Sequence, residues 1–302
     1  MYKKIVGMSG DNEGWQVARR RKGKTAKTKL QVSVSEPNFQ DHLDVDKTEA
    51  RLNQTVSGLR YEVFYAKWKD KLLTAAVGIQ HFLEKNGDTE VSANHGLDGS
   101  PPGPPGQMEC VCFGLGSFSS CVTARYQLAM LLLLLDALKI ERSDCFVFDP
   151  VFSSGEKDVL KRIGLTVLTE NEEGKREANK PTIFYLMHCG KALYNNLLWK
   201  NWNKQYLTKI IIIGNSFCAM KERTIDREFI RDYKYISQIT AVCKESLLPC
   251  PSHMIDVFSD TAVITFPPGG VDELSELTWL DPPEPQYEHC VDLEIVCKDK
   301  LR

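Results

Sequence analysis

The sequence lacks most of the features that would place it quickly. Its longest apolar run, Leu128 to Leu135, is far short of the roughly 20 residues a membrane-spanning helix needs. The opening MYKKIVGMSGDNEGW has no apolar stretch of the kind a secretory signal requires. Export is therefore not expected, and a cytoplasmic chain with access to the nucleus is. Neither sign of charge is in excess, with 38 basic residues against 40 acidic ones, so the surface as a whole is not built for membrane or nucleic acid. No C-x-x-C pair occurs, which argues against a zinc site. The motifs H-E-x-x-H, G-x-S-x-G and G-x-x-x-x-G-K-[ST] are missing as well. The simplest metalloprotease, hydrolase and P-loop assignments go with them.

Cysteine is plentiful, with ten residues, but Cys110, Cys112, Cys145 and Cys218 sit in apolar stretches and read as buried thiols that pack as small hydrophobes. All ten are expected to be reduced. Cys110 and Cys112 share one strand face and do not make a metal site on their own.

Residues 1–37 read as a flexible basic tail. Arg19, Arg20, Arg21, Lys22, Lys24, Lys27 and Lys29 cluster there with little to bury. The tail is either a nuclear-import or nucleic-acid contact or simply a solvated segment. Residues 38–86 form a helical segment: Leu59, Val63, Trp68, Leu72, Ile79 and Phe82 recur at helical intervals. Two helices are expected, broken near Ser57-Gly58. A Gly/Pro-rich loop follows over 87–109.

From 110 to 268 short apolar runs alternate with helical stretches. Strands are expected at Cys110–Phe113, Cys145–Phe148, Leu165–Leu168, Thr182–Met187 and Ile210–Ile213, with weaker ones at Ile239–Val242 and Thr261–Phe266. Helices are expected at Ser120–Leu138, Glu156–Ile163, Lys191–Asn203 and around Arg223–Ile236. This alternation predicts an α/β, Rossmann-like, mostly parallel sheet with helices on both faces, preceded by the N-terminal helical segment. Residues 269–302 read as a loose C-terminal extension.

Ligands of such sheets bind beyond the carboxyl ends of the strands, so the residues there are the candidates. Gly114, Gly116, Ser117, Ser119 and Ser120 follow the first strand and open onto a helix. Glycine permits close backbone approach, and a helix start offers free amides to a phosphate or carboxylate. The third glycine of the dinucleotide fingerprint is missing, and an ordinary serine-capped turn is the bland alternative. Asp149 ends the second strand, where an acid holds a ribose in nucleotide-binding relatives of this architecture; the spacing from Gly114 is longer than usual, and Asp149-Pro150 is also an ordinary strand-ending turn. Glu172 lies in the acidic loop after the third strand, and Gly214, Asn215 and Ser216 follow the fifth. His188 and Cys189 end the fourth. As strand neighbours they point to opposite faces, which makes a cysteine–histidine dyad a poor reading. His188 serves either as a ligand contact or as a structural histidine. Cys250-Pro251 has the form of a thiolate haem contact, although chance alone produces such a dipeptide readily.

The stretches FGLGSFSSCVTARYQLAMLLLLLDAL, FVFDPVFSSGEKDVLKRIGLTVLTENEEGKR, TIFYLMHCGKALYNNLLWKNW and IIIIGNSF resemble the sensitivity-to-red-light-reduced (SRR-like) domain family from about Cys110 to Phe266. WQVARRRKGK resembles what precedes that domain. Met187 and Gly190 stand where the family usually has proline. The family's strongest motifs fall on Gly114–Ser120, Asp149, Asn171–Gly174, His188-Cys189, Asn195-Asn196 and Gly214–Ser216. The resemblance implies a regulator rather than a characterised enzyme, tied to circadian timing and light signalling in plants. In animals it implies clock-gene expression and control of haem biosynthesis. It carries over no catalytic residues. The readings are therefore a regulatory protein with a ligand crevice and unidentified protein partners, a cryptic nucleotide- or S-adenosylmethionine-dependent transferase, or a haem sensor acting through Cys250 or His188.

Overall fold

The computed structural model describes residues 43–86, 108–288, 290, 293 and 295–297. The basic tail and most of the Gly/Pro-rich loop lie outside them. Among the described residues two helices come first, α1 (Val45–Arg60) and α2 (Val63–Asn86). Asp44 caps α1 by accepting from the Lys47 amide at 2.9 Å. The break falls at Tyr61-Glu62 rather than at Ser57-Gly58: Gly58 lies in the last turn of α1, where nothing within 4 Å opposes it. Leu59, Trp68, Leu72 and Ile79 are buried as their spacing predicts, whereas Val63, at the turn, is exposed.

Among the described residues seven strands form one sheet: β1 (Glu109–Phe113), β2 (Cys145–Phe148), β3 (Thr166–Val167), β4 (Thr182–Leu186), β5 (Ile210–Asn215), β6 (Lys244–Leu247) and β7 (Thr261–Thr265). Their order is β3-β2-β1-β4-β5-β7-β6. The first five run parallel, and β7 is antiparallel to both of its neighbours. This order departs from the 3-2-1-4-5-6 of dinucleotide-binding sheets by inserting the last strand before the sixth. The sixth strand was expected at Ile239–Val242. Ile239 instead ends a helix, and β6 is the polar Lys-Glu-Ser-Leu that follows. An edge strand half in water carries no apolar run to reveal it.

The remaining helices are α3 (Val122–Leu138), α4 (Ser154–Arg162), α5 (Lys191–Lys200), α6 (Lys204–Leu207), α7 (Phe217–Glu222), α8 (Asp226–Asp232), α9 (Lys234–Ile239), α10 (Ile255–Phe258) and α11 (Pro268–Asp272). The single helix expected at Arg223–Ile236 is thus two, broken where Tyr233 leaves helical geometry at φ −125° and ψ 49°. Side chains alternate across the sheet with the period of a strand. Cys110, Cys112, Ile183, Tyr185, Ile211 and Ile213 enter the core under α1–α4. Val111, Phe113, Phe184, Leu186, Ile210 and Ile212 enter the core under α5, α8 and α9. Cys110, Cys112 and Cys145 are buried as expected, but Cys218 is exposed, because it faces outward from the short α7.

The segment after 269 is not loose in its described part. Three donors on the domain seize its backbone. Trp202 Nε1 donates to the Thr278 carbonyl at 2.8 Å, Trp199 Nε1 to that of Pro282 at 2.9 Å, and Tyr235 Oη to that of Pro283 at 2.5 Å. Trp279 packs against Trp202 with ring centroids 5.4 Å apart.

Candidate functional site

A crevice of ≈ 350 Å³ opens beyond the carboxyl ends of β1, β2 and β4. Order reverses between β1 and β4 in this sheet, so the position is the one strand order dictates. Gly114, Asp149 and His188 line it, together with Asn171, Gly174 and Cys189. Phe113, Phe148 and Leu193 give it apolar walls, and Ile295 and Val296 from the C-terminal segment close one side. The Asn171 side-chain amide donates to the Val296 carbonyl, which ties that segment in place.

Gly114 is required here on two counts. Its φ is +66°, and a Cβ on it would meet Cys189 Sγ at 2.6 Å. The thiol of Cys189 donates to the Phe113 carbonyl at 3.3 Å. Asp149 is buried, 7% exposed, and its two oxygens accept from the Gly116 amide at 2.7 Å and the Val151 amide at 2.9 Å. It fastens the end of β2 to the glycine loop while presenting a carboxylate at the crevice wall.

The serines behave otherwise than expected. Ser117 Oγ and the Ser119 amide both donate to Glu156 Oε1, at 2.8 and 3.0 Å, and Ser120 Oγ lies 2.7 Å from Ser117 Oγ. None of the three lines the crevice. Donors expected to hold a ligand's phosphate are bound to the protein's own acid. The cap of α3 is Cys121, with no side-chain bond, so the serine-cap alternative is not realised either. Glu156 is itself 1% exposed. Its other oxygen completes a capping box with Ser153. Burial drives its carboxyl pKa up, but the bonds from the Ser119 and Ser153 amides and from the two serine hydroxyls outweigh this and leave it below the ordinary range.

Glu172 does not line the crevice either. It pairs with Arg176 at 2.9 Å, four residues on, while its neighbours Asn171 and Gly174 face the cavity. Gly214 is a packing glycine, where a Cβ would lie 2.7 Å from the Leu186 carbonyl. Ser216 caps α7 through the Ala219 amide at 3.0 Å and donates to Glu245. Asn195 and Asn196 also fasten rather than face the cavity. Asn195 Oδ1 accepts from the Tyr235 amide at 3.0 Å, and Asn196 Nδ2 donates to the Glu173 carbonyl at 2.8 Å.

His188 and Cys189 stand between the crevice and a second cavity of ≈ 360 Å³, lined also by Lys191, Asn215, Arg223 and Asp260. His188 has a left-handed φ of +53°. Asn215 holds this loop from β5, accepting from the His188 amide at 3.0 Å and donating to the Cys189 carbonyl at 3.2 Å. The buried Gln127 lies 3.3 Å from His188 Nδ1, and the Ser259 carbonyl is 3.4 Å from Nε2. A donor, Gln127 Nε2, thus faces one ring nitrogen and an acceptor, the Ser259 carbonyl, faces the other. Cys250 lines neither cavity. Its thiol donates to the Met254 carbonyl at 3.5 Å, and burial raises its pKa, the opposite of what a thiolate haem ligand needs. Of the two candidate haem contacts, His188 lines both cavities and Cys250 lines neither.

Sequence reasoning passed over Glu156, Gln127 and the C-terminal cover. Glu156 was legible in part, since Ser153-Ser154-Gly155-Glu156 has the S-x-x-E form of a capping box. The reach of its second oxygen to Ser119 is a long-range contact with no local signal.

Comparison with known proteins places residues 80–265 in the SRR1 domain family, beginning some way before the resemblance at Cys110. The SRR1-like protein of Mus musculus is 52% identical over 134 residues, which cover 44% of this chain and 54% of the mouse protein. The protein SENSITIVITY TO RED LIGHT REDUCED 1 of Arabidopsis thaliana is 32% identical over 253 residues, 80% of this chain and 86% of the plant protein. The SRR1-like protein of Drosophila melanogaster is 36% identical over 169 residues, 54% of this chain and 58% of the fly protein. The matches thus span little more than half of the two animal proteins. Among solved structures, the SAH-bound Podospora anserina methyltransferase PaMTH1 is 12% identical, with a TM-score of 0.32 over 74% of this chain and 94% of its own.

Proposed function

The chain belongs to the SRR1 domain family, and on that premise we propose that it is a regulator acting through a small, phosphate-free ligand held in the crevice. Its outputs, on this reading, are clock-gene expression and haem biosynthesis, exerted through protein partners in cytoplasm and nucleus. Among the described residues no helix is long and apolar enough to cross a membrane. The name of the plant relative refers to sensitivity to red light, a natural input for a timing regulator.

The observation that carries the ligand reading is the charge of the crevice. Its described lining holds one buried carboxylate, Asp149, and no lysine or arginine. In the loop after β1 the Ser119 amide is bound to Glu156 and the Gly116 amide to Asp149. A polyphosphate entering such a site would lose its hydration without gaining a cation, whereas a neutral or cationic ring system would keep Asp149 as a partner. Thermal shift with adenosine and S-adenosylmethionine beside ATP and NAD tests this. At about 100 times its Kd a ligand adds roughly 2.7 kcal/mol, and only the phosphate-free compounds are expected to do so. Equal stabilisation by ATP or NAD, reversed by Asp149→Asn, would remove the proposal.

One observation favours a second reading, a transferase using S-adenosylmethionine. Two cavities of similar size share His188 and Cys189, so a cationic donor and an acceptor could lie side by side. Transfer of a labelled methyl group that disappears in Asp149→Ala would establish this reading in place of a purely regulatory one.

A further inference from the structure

At the opposite end of the sheet a separate cavity of ≈ 390 Å³ lies between α2 and the β6–β7 edge. It shares no residue with the crevice. Its apolar walls are Ile79 and Phe82 on α2 and Val263 and Phe266 on the sheet side. Each wall also carries an ammonium group. Lys71 Nζ bonds to the Ser246 hydroxyl at 2.8 Å, and Lys244 stands exposed on β6. Neither has a carboxylate within ion-pair distance among the described residues. Asp70 also lines the cavity, so two ammonium groups stand against one carboxylate there.

Gly78 is the second observation. It sits in the interior of the 24-residue α2, where glycine is the least helix-favouring residue after proline. Packing does not demand it, because a Cβ there would meet nothing within 4 Å. Gly78 lines the cavity, and the absence of a side chain leaves that part of the α2 wall bare. From Asp70 to Phe82 the helix presents about 18 Å of wall at 1.5 Å per residue. The space is long, apolar and cation-lined, within the size range of small-molecule sites.

We propose that this cavity binds a single-chain amphipathic carboxylate of the fatty-acid class, with the alkyl chain along Ile79, Phe82, Val263 and Phe266 and the head group answered by Lys71 and Lys244. The test uses the full chain and a dansylated undecanoate reporter displaced by dodecanoate. Saturable one-to-one displacement is expected from dodecanoate, and none from dodecyltrimethylammonium or from S-adenosylmethionine. Gly78→Leu should raise the melting temperature, since leucine favours helix, and yet weaken dodecanoate binding at least tenfold. Lys71→Met combined with Lys244→Met should weaken dodecanoate but not dodecanol. Reporter binding unchanged in Gly78→Leu, or displacement as strong by the cationic amphiphile, would overturn the proposal. So would binding confined to phosphatidylserine vesicles, which would point to a membrane surface instead. Because S-adenosylmethionine is read against a different cavity, failure here leaves the crevice reading intact, and failure there leaves this one.

Discussion

Glu156 occupies the place a ligand anion would take beneath the loop after β1, its Oε1 accepting from the Ser119 amide at 3.0 Å. The carboxylate comes from the first turn of α4 and joins two segments 37 residues apart, so loop and helix stand or fall together.

This bond should be visible in acid. The Glu156 carboxyl is held below its ordinary pKa by hydrogen bonds that exceed the upward push of burial. A group whose folded pKa is depressed contributes fully above its unfolded value, about 4.3 for glutamate. That contribution is lost as pH falls through the folded value. Glu156→Gln should cost about 1–3 kcal/mol at neutral pH and flatten the stability loss below pH ~4.3. Urea midpoints measured across that range decide it, and an unaltered acid limb in the variant would contradict the assignment.

The approach of Gly114 to Cys189 yields a separable pair of effects. Gly114→Ala forces a left-handed alanine, about 1–2 kcal/mol, and drives Cys189 Sγ from its bond to the Phe113 carbonyl. In a Cys189→Ala background only the backbone part should remain. A double-mutant cycle by chemical denaturation should therefore give a coupling of about 0.5–3 kcal/mol. Strict additivity would mean that the thiol and the glycine are independent.

Tyr287, half-buried, anchors the described part of the C-terminal segment through its hydroxyl. Its hydroxyl donates to Asn196 Oδ1 at 2.7 Å and accepts from Asn195 Nδ2 at 3.2 Å, and burial pushes its pKa well up. Tyr287→Phe leaves the two asparagines short of a partner and should cost about 1–3 kcal/mol. Amide exchange between Thr278 and Glu288 should quicken more than exchange in β4 or β5. Equal protection of the segment in both proteins would show that the apolar contacts alone hold it.

How far the sequence foretold this depended on where each contact lies. Ile210–Ile213 and Cys110–Phe113 were readable because a strand buried on both faces is continuously apolar, and the strand ends then located Gly114, Asp149 and His188. The polar edge strand at Lys244 and the break at Tyr233 left no such trace. Asp149 is located by its position at the strand end, with a ribose contact and an ordinary Asp-Pro turn as its two readings; its bond to the Val151 amide fits the turn, while the bond to the Gly116 amide depends on the folded loop. Ser117 and Ser119 were assigned to a ligand for want of any sign that Glu156 would reach them.

The mode by which Trp199, Trp202 and Tyr235 grip the C-terminal segment has a consequence for divergence. All three donate to main-chain carbonyls, groups that every residue supplies. Apart from Trp279, and Asp281 with its left-handed φ of +44°, the side chains from Thr278 to Pro283 take no part in these three bonds. Variation is constrained on the domain's side, where exchanging one indole for phenylalanine removes the donor outright. On the tail's side the constraint thus rests on a few side chains, Trp279 against Trp202 and Tyr287 on the two asparagines, and not on the run of sequence between them.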